Sequence, residues 1–144
     1  MRTDPTLLHH ATAALDVHHH TALPEIPGMA DRVELDALHS HATALYELLD
    51  THTRGTRRIL PAEGDALHAA TVRLWQAAEH LHDAYHTAAR EDGSLPTAEE
   101  CAVRRPEGAP RLTICQRHMS TAARVRRQTT PADLRTPVPG LVRH

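Results

Sequence analysis

Apolar residues recur at helical spacing in four stretches of the chain. The most regular is Leu35, Leu38, Ala42, Leu45, Leu49 and His52, spaced 3, 4, 3, 4 and 3, with Leu48 widening the seam. Asp31 with Glu34 three residues on opens it in the manner of a capping box, and it runs to about Arg54, before Gly55. In a second stretch Leu67, Leu74, Leu81 and Tyr85 recur with Ala70, Ala77, Ala78 and Ala88 between them. Pro61 and Glu63 mark its start, Gly64 is a break that delays it, and it ends near Glu91-Asp92-Gly93-Ser94. Toward the N-terminus, Asp4 followed by Pro5 is an N-cap with Pro at the first helical position. Leu8, Ala11, Leu15, His18, His19 and Ala22 then form a narrow arc that ends by Pro24. A fourth stretch begins around Pro110 or Arg111, with Leu112, Cys115, Met119 and Ala122 on one face, Ile114, His118 and Val125 beside them, and Arg117, Arg124 and Arg127 opposite.

These patterns predict an all-α fold: a four-helix, mostly up-and-down bundle with helices near 5–23, 31–54, 62–90 and 110–128. The long connection before the fourth helix has a short helix capped by Thr97 and Glu100 that carries Cys101. Thr130-Pro131-Ala132-Asp133 forms one further capped turn, and Pro137, Pro139 and Gly140 read as a flexible tail. On this reading residues 1–130 are one domain, and 131–144 a turn and tail. His41 and His52 are expected to be partly buried.

Composition narrows the core. Phe is absent and aromatic residues are only 2%, so 40% apolar content must pack as Leu, Ala and Val, which suits closely approaching helices. Lys and Asn are absent too, a bias of the kind a GC-rich coding sequence produces, and that bias also accounts for many of the 14 His. Net charge is -2, unevenly spread: residues 1–100 hold 7 Arg against 16 acids, residues 101–144 hold 9 Arg against 2. Two Cys make no disulfide framework, and neither a signal-like leader nor an apolar run of membrane-spanning length occurs, so a cytoplasmic protein with reduced thiols is expected.

The sharpest chemical hint lies on the third helix. Glu79, His82 and His86 stand three and four residues apart, so their side chains converge over two turns. Of five acid-x-x-His pairs, Asp36/His39, Asp65/His68 and Asp83/His86 place the acid away from the apolar face, whereas Glu79/His82 lies on its shoulder. Matching heights at ~1.5 Å per residue puts His19, His82 and His118 in one layer, with His86 and Cys115 about a turn away. Cys115-x-x-His118 lets two side chains of one helix reach one ion, and Cys101 can swing in from the connection. The candidate metal ligands are therefore Glu79, His82, His86, His118 and Cys115, with zinc as the best-matched ion. The competing reading makes these interior imidazoles and a small buried thiol. Glu79-x-x-His82 also resembles half of the motif of ferritin-like di-iron carboxylate bundles, but a second Glu-x-x-His is missing.

With LDALHSHATALYELLD, LWQAAEHLHDAYH and LTICQRH in view, the chain resembles a family of short, His- and Arg-rich helical proteins of GC-rich actinobacteria that carries no assigned function. The resemblance implies one bacterial helical domain and transfers no active site. The function expected from the residues is a non-catalytic helical module that binds a protein partner or itself and holds one zinc ion. One alternative is a metal-dependent enzyme with an open coordination position on the same residues. Another is an accessory nucleic-acid-binding protein acting through Arg117, Arg124 and Arg127.

Overall fold

A computed structural model describes residues 4–21, 28–89, 93–95 and 113–135. Among them the structure is all-α, with helices α1 (Thr6–Thr21), α2 (Arg32–Arg57), α3 (Pro61–Thr87), α4 (Ile114–Gln128) and α5 (Pro131–Arg135). The short helix expected around Thr97–Cys101 and the C-terminal tail lie outside the described residues. None of the described helices is long and apolar enough to cross a membrane.

The chain divides into two compact units, residues 1–30 and 31–144. In the first, the Asp4 carboxylate accepts the Thr6 N–H at 2.9 Å, the N-cap its sequence calls for, and α1 carries no buried residue.

In the second unit α2 and α3 form a helical hairpin closed by Arg58, Ile59 and Leu60. Its tightest point is Gly64. A Cβ there would sit 2.6 Å from Arg57 Cα and 2.8 Å from Arg57 N, so the glycine lets the start of α3 pass against the end of α2 rather than delaying the helix. Gly55 has open space around its absent Cβ and α2 continues through it to Arg57. At the other end of the hairpin, Asp31 caps α2 by accepting from Glu34 N at 2.8 Å. Arg32 lies over the Tyr85 ring and donates to the carbonyls of Tyr85 and Ala88, satisfying orphan acceptors at the end of α3.

Tyr46 and Ala42 of α2, Trp75 and Ala78 of α3 and Val125 of α4 form the apolar core, lined by Leu74, Leu81, Ala122 and Leu134. The faces that supply it differ from those the apolar periodicity picks out. On α2 the buried residues are Arg32, Leu35, Asp36, His39, Ala42, Thr43, Tyr46, Asp50 and Thr53. This face is turned from the Leu38-Leu45-Leu49 seam by roughly one residue, ~100°. Those leucines are half-buried, and His41 and His52, expected to be partly buried, are exposed. The helix α4 is turned likewise: Ile114, Arg117, Thr121 and Val125 face inward, and Met119, expected inside, is 68% exposed. The start of α4 is set by Thr113, which with Gln116 makes both halves of a capping box at 3.1 and 3.0 Å; Pro110 and Arg111, where the sequence places the start, lie outside the described residues. After it, Thr130 and Asp133 cap α5 reciprocally at 2.9 and 3.2 Å. His68 Nε2 to Asp133 Oδ2 at 3.2 Å and Gln76 donating to Leu134 O at 2.7 Å hold α5 on α3.

The two glycines of the hairpin respond oppositely to alanine. Gly64→Ala should lower stability by about 1–3 kcal/mol because the Arg57 backbone must move. Gly55→Ala should raise it by up to about 1 kcal/mol, since only helix propensity changes. Urea denaturation of both variants checks the pair, and equal effects would contradict the close approach at Gly64.

Candidate metal centre

Where α2, α3 and α4 meet, the interior is polar. Asp36 is 1% exposed and His39 is fully buried, the opposite of the outward Asp36 that its place beside the apolar seam suggests. Arg117 reaches in from α4: its Nη2 donates to the Asp36 carboxylate and, at 3.1 Å, to the Asp36 carbonyl, and its Nε donates to His39 Nδ1 at 3.1 Å. His39 Nε2 then lies 3.0 Å from His118 Nδ1. The permanently charged guanidinium fixes the proton positions along this chain. His39 accepts at Nδ1, so its one proton is on Nε2 and is donated to His118. His39 is neutral as a result. Burial chiefly, then the charge of Arg117, pushes its pKa down from 6.5 to about 3.

The next layer is a stack of rings. Trp75 lies parallel to His118 at 4.5 Å and 20°, and His118 lies parallel to His82 at 4.3 Å and 19°. The His86 ring meets His82 edge-on at 4.4 Å. Burial lowers the pKa of His82 to about 4 and depresses those of His86 and His118 as well.

The stack ends in a triangle of donor atoms. His82 Nε2 and His86 Nε2, one turn apart on α3, are 2.9 Å from each other, and Cys115 Sγ of α4 lies 3.2 Å from the first and 3.4 Å from the second. His82, His86 and Cys115 are all half-buried and are the one such group found among the described residues. Protons alone satisfy such a triangle poorly. The S–H and one N–H serve two edges, and the third brings two atoms together with no proton between them. A cation at the centre serves all three. With Zn–N near 2.0 Å and Zn–S near 2.3 Å, a tetrahedral ion has edges of about 3.3 Å (N to N) and about 3.5 Å (N to S). The observed His86–Cys115 edge is within about 0.1 Å of this, and the other two are about 0.3–0.4 Å shorter. Cys115 is also the second residue of α4, where the helix dipole favours negative charge.

Of the five candidate ligands, the fold brings His82, His86 and Cys115 together. Glu79 is exposed on the solvent side of α3, where partial desolvation and the neighbouring Asp83 raise its pKa, and it is outside the triangle. His118 gives its Nδ1 to His39 and its ring face to His82. His19 belongs to the first unit, and Cys101 lies outside the described residues. Arg117, Arg124 and Arg127 do not share an exposed face. Arg117 is buried in its ion pair, Arg124 is half-buried, and Arg127 is exposed. Asp36, His39 and the stacking role of Trp75 were not picked out by sequence reasoning. The signal for the first two was one of the five acid-x-x-His pairs, whose burial depended on the rotation of α2.

The chain belongs, over residues 1–144, to the family of unknown function DUF6238. No curated protein and no solved structure matches it.

Two outcomes follow from the buried polar layer. Arg117→Met leaves the Asp36 carboxylate buried without its cation and should cost about 3–5 kcal/mol, most of it recovered in Asp36→Leu/Arg117→Met, as a urea double-mutant cycle would show. The second concerns pH. The folded pKa values of His39 and His82, about 3 and about 4, lie below the unfolded 6.5, so between these limits the unfolded chain binds the extra protons. Stability from this source is complete above pH 6.5 and falls as pH drops, with a slope approaching about 1.4 kcal/mol per pH unit for buried His39 and less for half-buried His82. Unfolding at pH 7 and pH 5 should show the loss, smaller in His39→Leu. An unchanged midpoint would mean that these imidazoles are not held neutral.

Proposed function

We propose that this member of the DUF6238 family binds one transition-metal ion, zinc by best match, through His82 Nε2, His86 Nε2 and Cys115 Sγ. The observation that carries the reading is the triangle of three converging donor atoms with edges of 2.9, 3.2 and 3.4 Å. Its electrostatics agree. Burial lowers the pKa of both imidazoles, that of His82 to about 4, so they offer lone pairs, which a metal requires and a thiolate-imidazolium nucleophile does not. Two imidazoles and a thiolate are a borderline-soft set suited to zinc and also to cobalt, a spectroscopic substitute.

Three protein ligands leave a fourth position on a tetrahedral ion, and the half-burial of the donors supports access to it by water or a small ligand. This favours a centre with an exchangeable ligand over a closed structural site, and it is the support for metal-assisted chemistry as a second reading. The protein would work in the reducing cytoplasm, where the thiolate survives. A nucleic-acid role has less support, with Arg117 committed to Asp36.

Elemental analysis of untagged protein purified without chelators tests the assignment. About one equivalent of metal is expected, lost in Cys115→Ser and in His82→Ala and retained when the exposed His18, His19 and His20 are replaced together. Metal that follows the α1 histidines instead would assign the binding to casual surface coordination and remove the site.

A further inference from the structure

We infer that His39, held by Arg117 and acting through His118, is the positioning device for the metal ligand His82. The inference rests on the reading of His82, His86 and Cys115 as metal ligands and deepens it. An imidazole ligand must have its ring plane fixed, because rotation about χ2 is soft and swings the lone pair off the ion. The usual device is a hydrogen bond from the ring's second nitrogen to a carboxylate or carbonyl. Among the described residues His82 has no such bond; its ring contacts through nitrogen are both at Nε2, toward His86 and Cys115. What restrains the ring is the face of His118 at 4.3 Å and 19°.

That face is itself anchored on both sides. Trp75, 4% exposed, backs His118 at 4.5 Å, and the His39 Nε2–H fixes its rotation through Nδ1 at 3.0 Å. His39 in turn has its ring oriented by the Arg117 Nε–H at 3.1 Å, and Arg117 is clamped by both the carboxylate and the carbonyl of Asp36. The path from Asp36 to His82 is a continuous series of directional contacts, each leaving the next ring one orientation. It also ties the two halves of the triangle together. Arg117 and His118 stand two and three residues from Cys115 on α4, so the clamp that orients His82 sets the depth at which α4 presents its thiolate. A polar layer that served stability alone would not need to end in a ring stacked on a ligand, and replacing it with apolar residues would leave metal affinity unchanged.

The test uses the full-length protein with Co(II) as the probe, read by the thiolate-to-cobalt charge-transfer band and the d–d bands. The parent protein and Cys115→Ser establish the underlying site. If the parent shows no charge-transfer band, the metal assignment fails, and this inference with it. If the parent binds and Cys115→Ser loses the band, the assignment holds and the positioning role is read from His39→Leu, His39→Gln and His118→Phe. Leu cannot donate to His118 and should weaken Co(II) binding by roughly 10–100-fold, with altered d–d bands. Gln can accept from Arg117 through Oε1 and donate to His118 through Nε2, so it should return affinity to within a few-fold of the parent. Phe at 118 keeps the stack without the anchoring hydrogen bond and should resemble His39→Leu, providing the reading if His39→Leu does not fold. Folded His39→Leu or His118→Phe protein with parental affinity and an unchanged spectrum would overturn the inference, as would a Gln variant no better than Leu.

Discussion

The arrangement of the second unit depends on one buried ion pair. Asp36 and Arg117 come from different helices and are both largely removed from water. Such a pair gains less in attraction than it loses in hydration unless its remaining hydrogen-bonding capacity is filled. Here it is filled in a specific way: the guanidinium that neutralises Asp36 also takes the Asp36 carbonyl and His39. That commitment fixes the rotation of α4 about its axis. With Arg117 inward, Cys115 faces α3 and Met119 faces solvent. An apolar residue at 117 would permit other rotations, in most of which the Cys115 sulfur would miss the two imidazoles. The ion pair is thus better understood as setting register than as a source of stability.

The helices themselves were legible because their punctuation is local. Asp4, Asp31, the Pro61 start and the Thr130-Asp133 turn act over two or three residues, and each holds in the structure. Rotation was not legible. On α2 the leucines define the most regular apolar period, yet Asp36, His39, Thr43, Asp50 and Thr53 occupy the more buried face. Hydrophobicity assigns these residues to solvent because it scores each alone. They go inside because each finds a partner: Asp36 in Arg117, His39 in Arg117 and His118, and Thr53 in Thr71 at 3.2 Å. Partners distant in sequence, such as Arg117 and Asp36 at a separation of 81, leave no periodic trace.

The candidate site divides along the same line between local and distant relations. His82 and His86 were found because their relation is intrahelical, a spacing of four on one face. Cys115 was found by chemistry, as a thiol on a neighbouring helix with a histidine one turn on. Glu79 fitted the spacing equally well, but α3 turns it to the solvent side, and angular position on a helix in contact with three others is a tertiary quantity. His39 went unrecognised for the converse reason: its neighbours in sequence are ordinary, and only its neighbours in space make it a relay.

The close passage at Gly64 bears on the order in which this protein assembles. A hairpin joined by three residues has little loop entropy to overcome, so α2 and α3 can pair early and locally. The two imidazoles of the triangle are complete as soon as α3 is helical, whereas Cys115 is 29 residues from His86 along the chain and arrives only when α4 docks. The glycine that lets the first two helices nest therefore lets the triangle form in two stages, the paired imidazoles first and the Cys115 sulfur last.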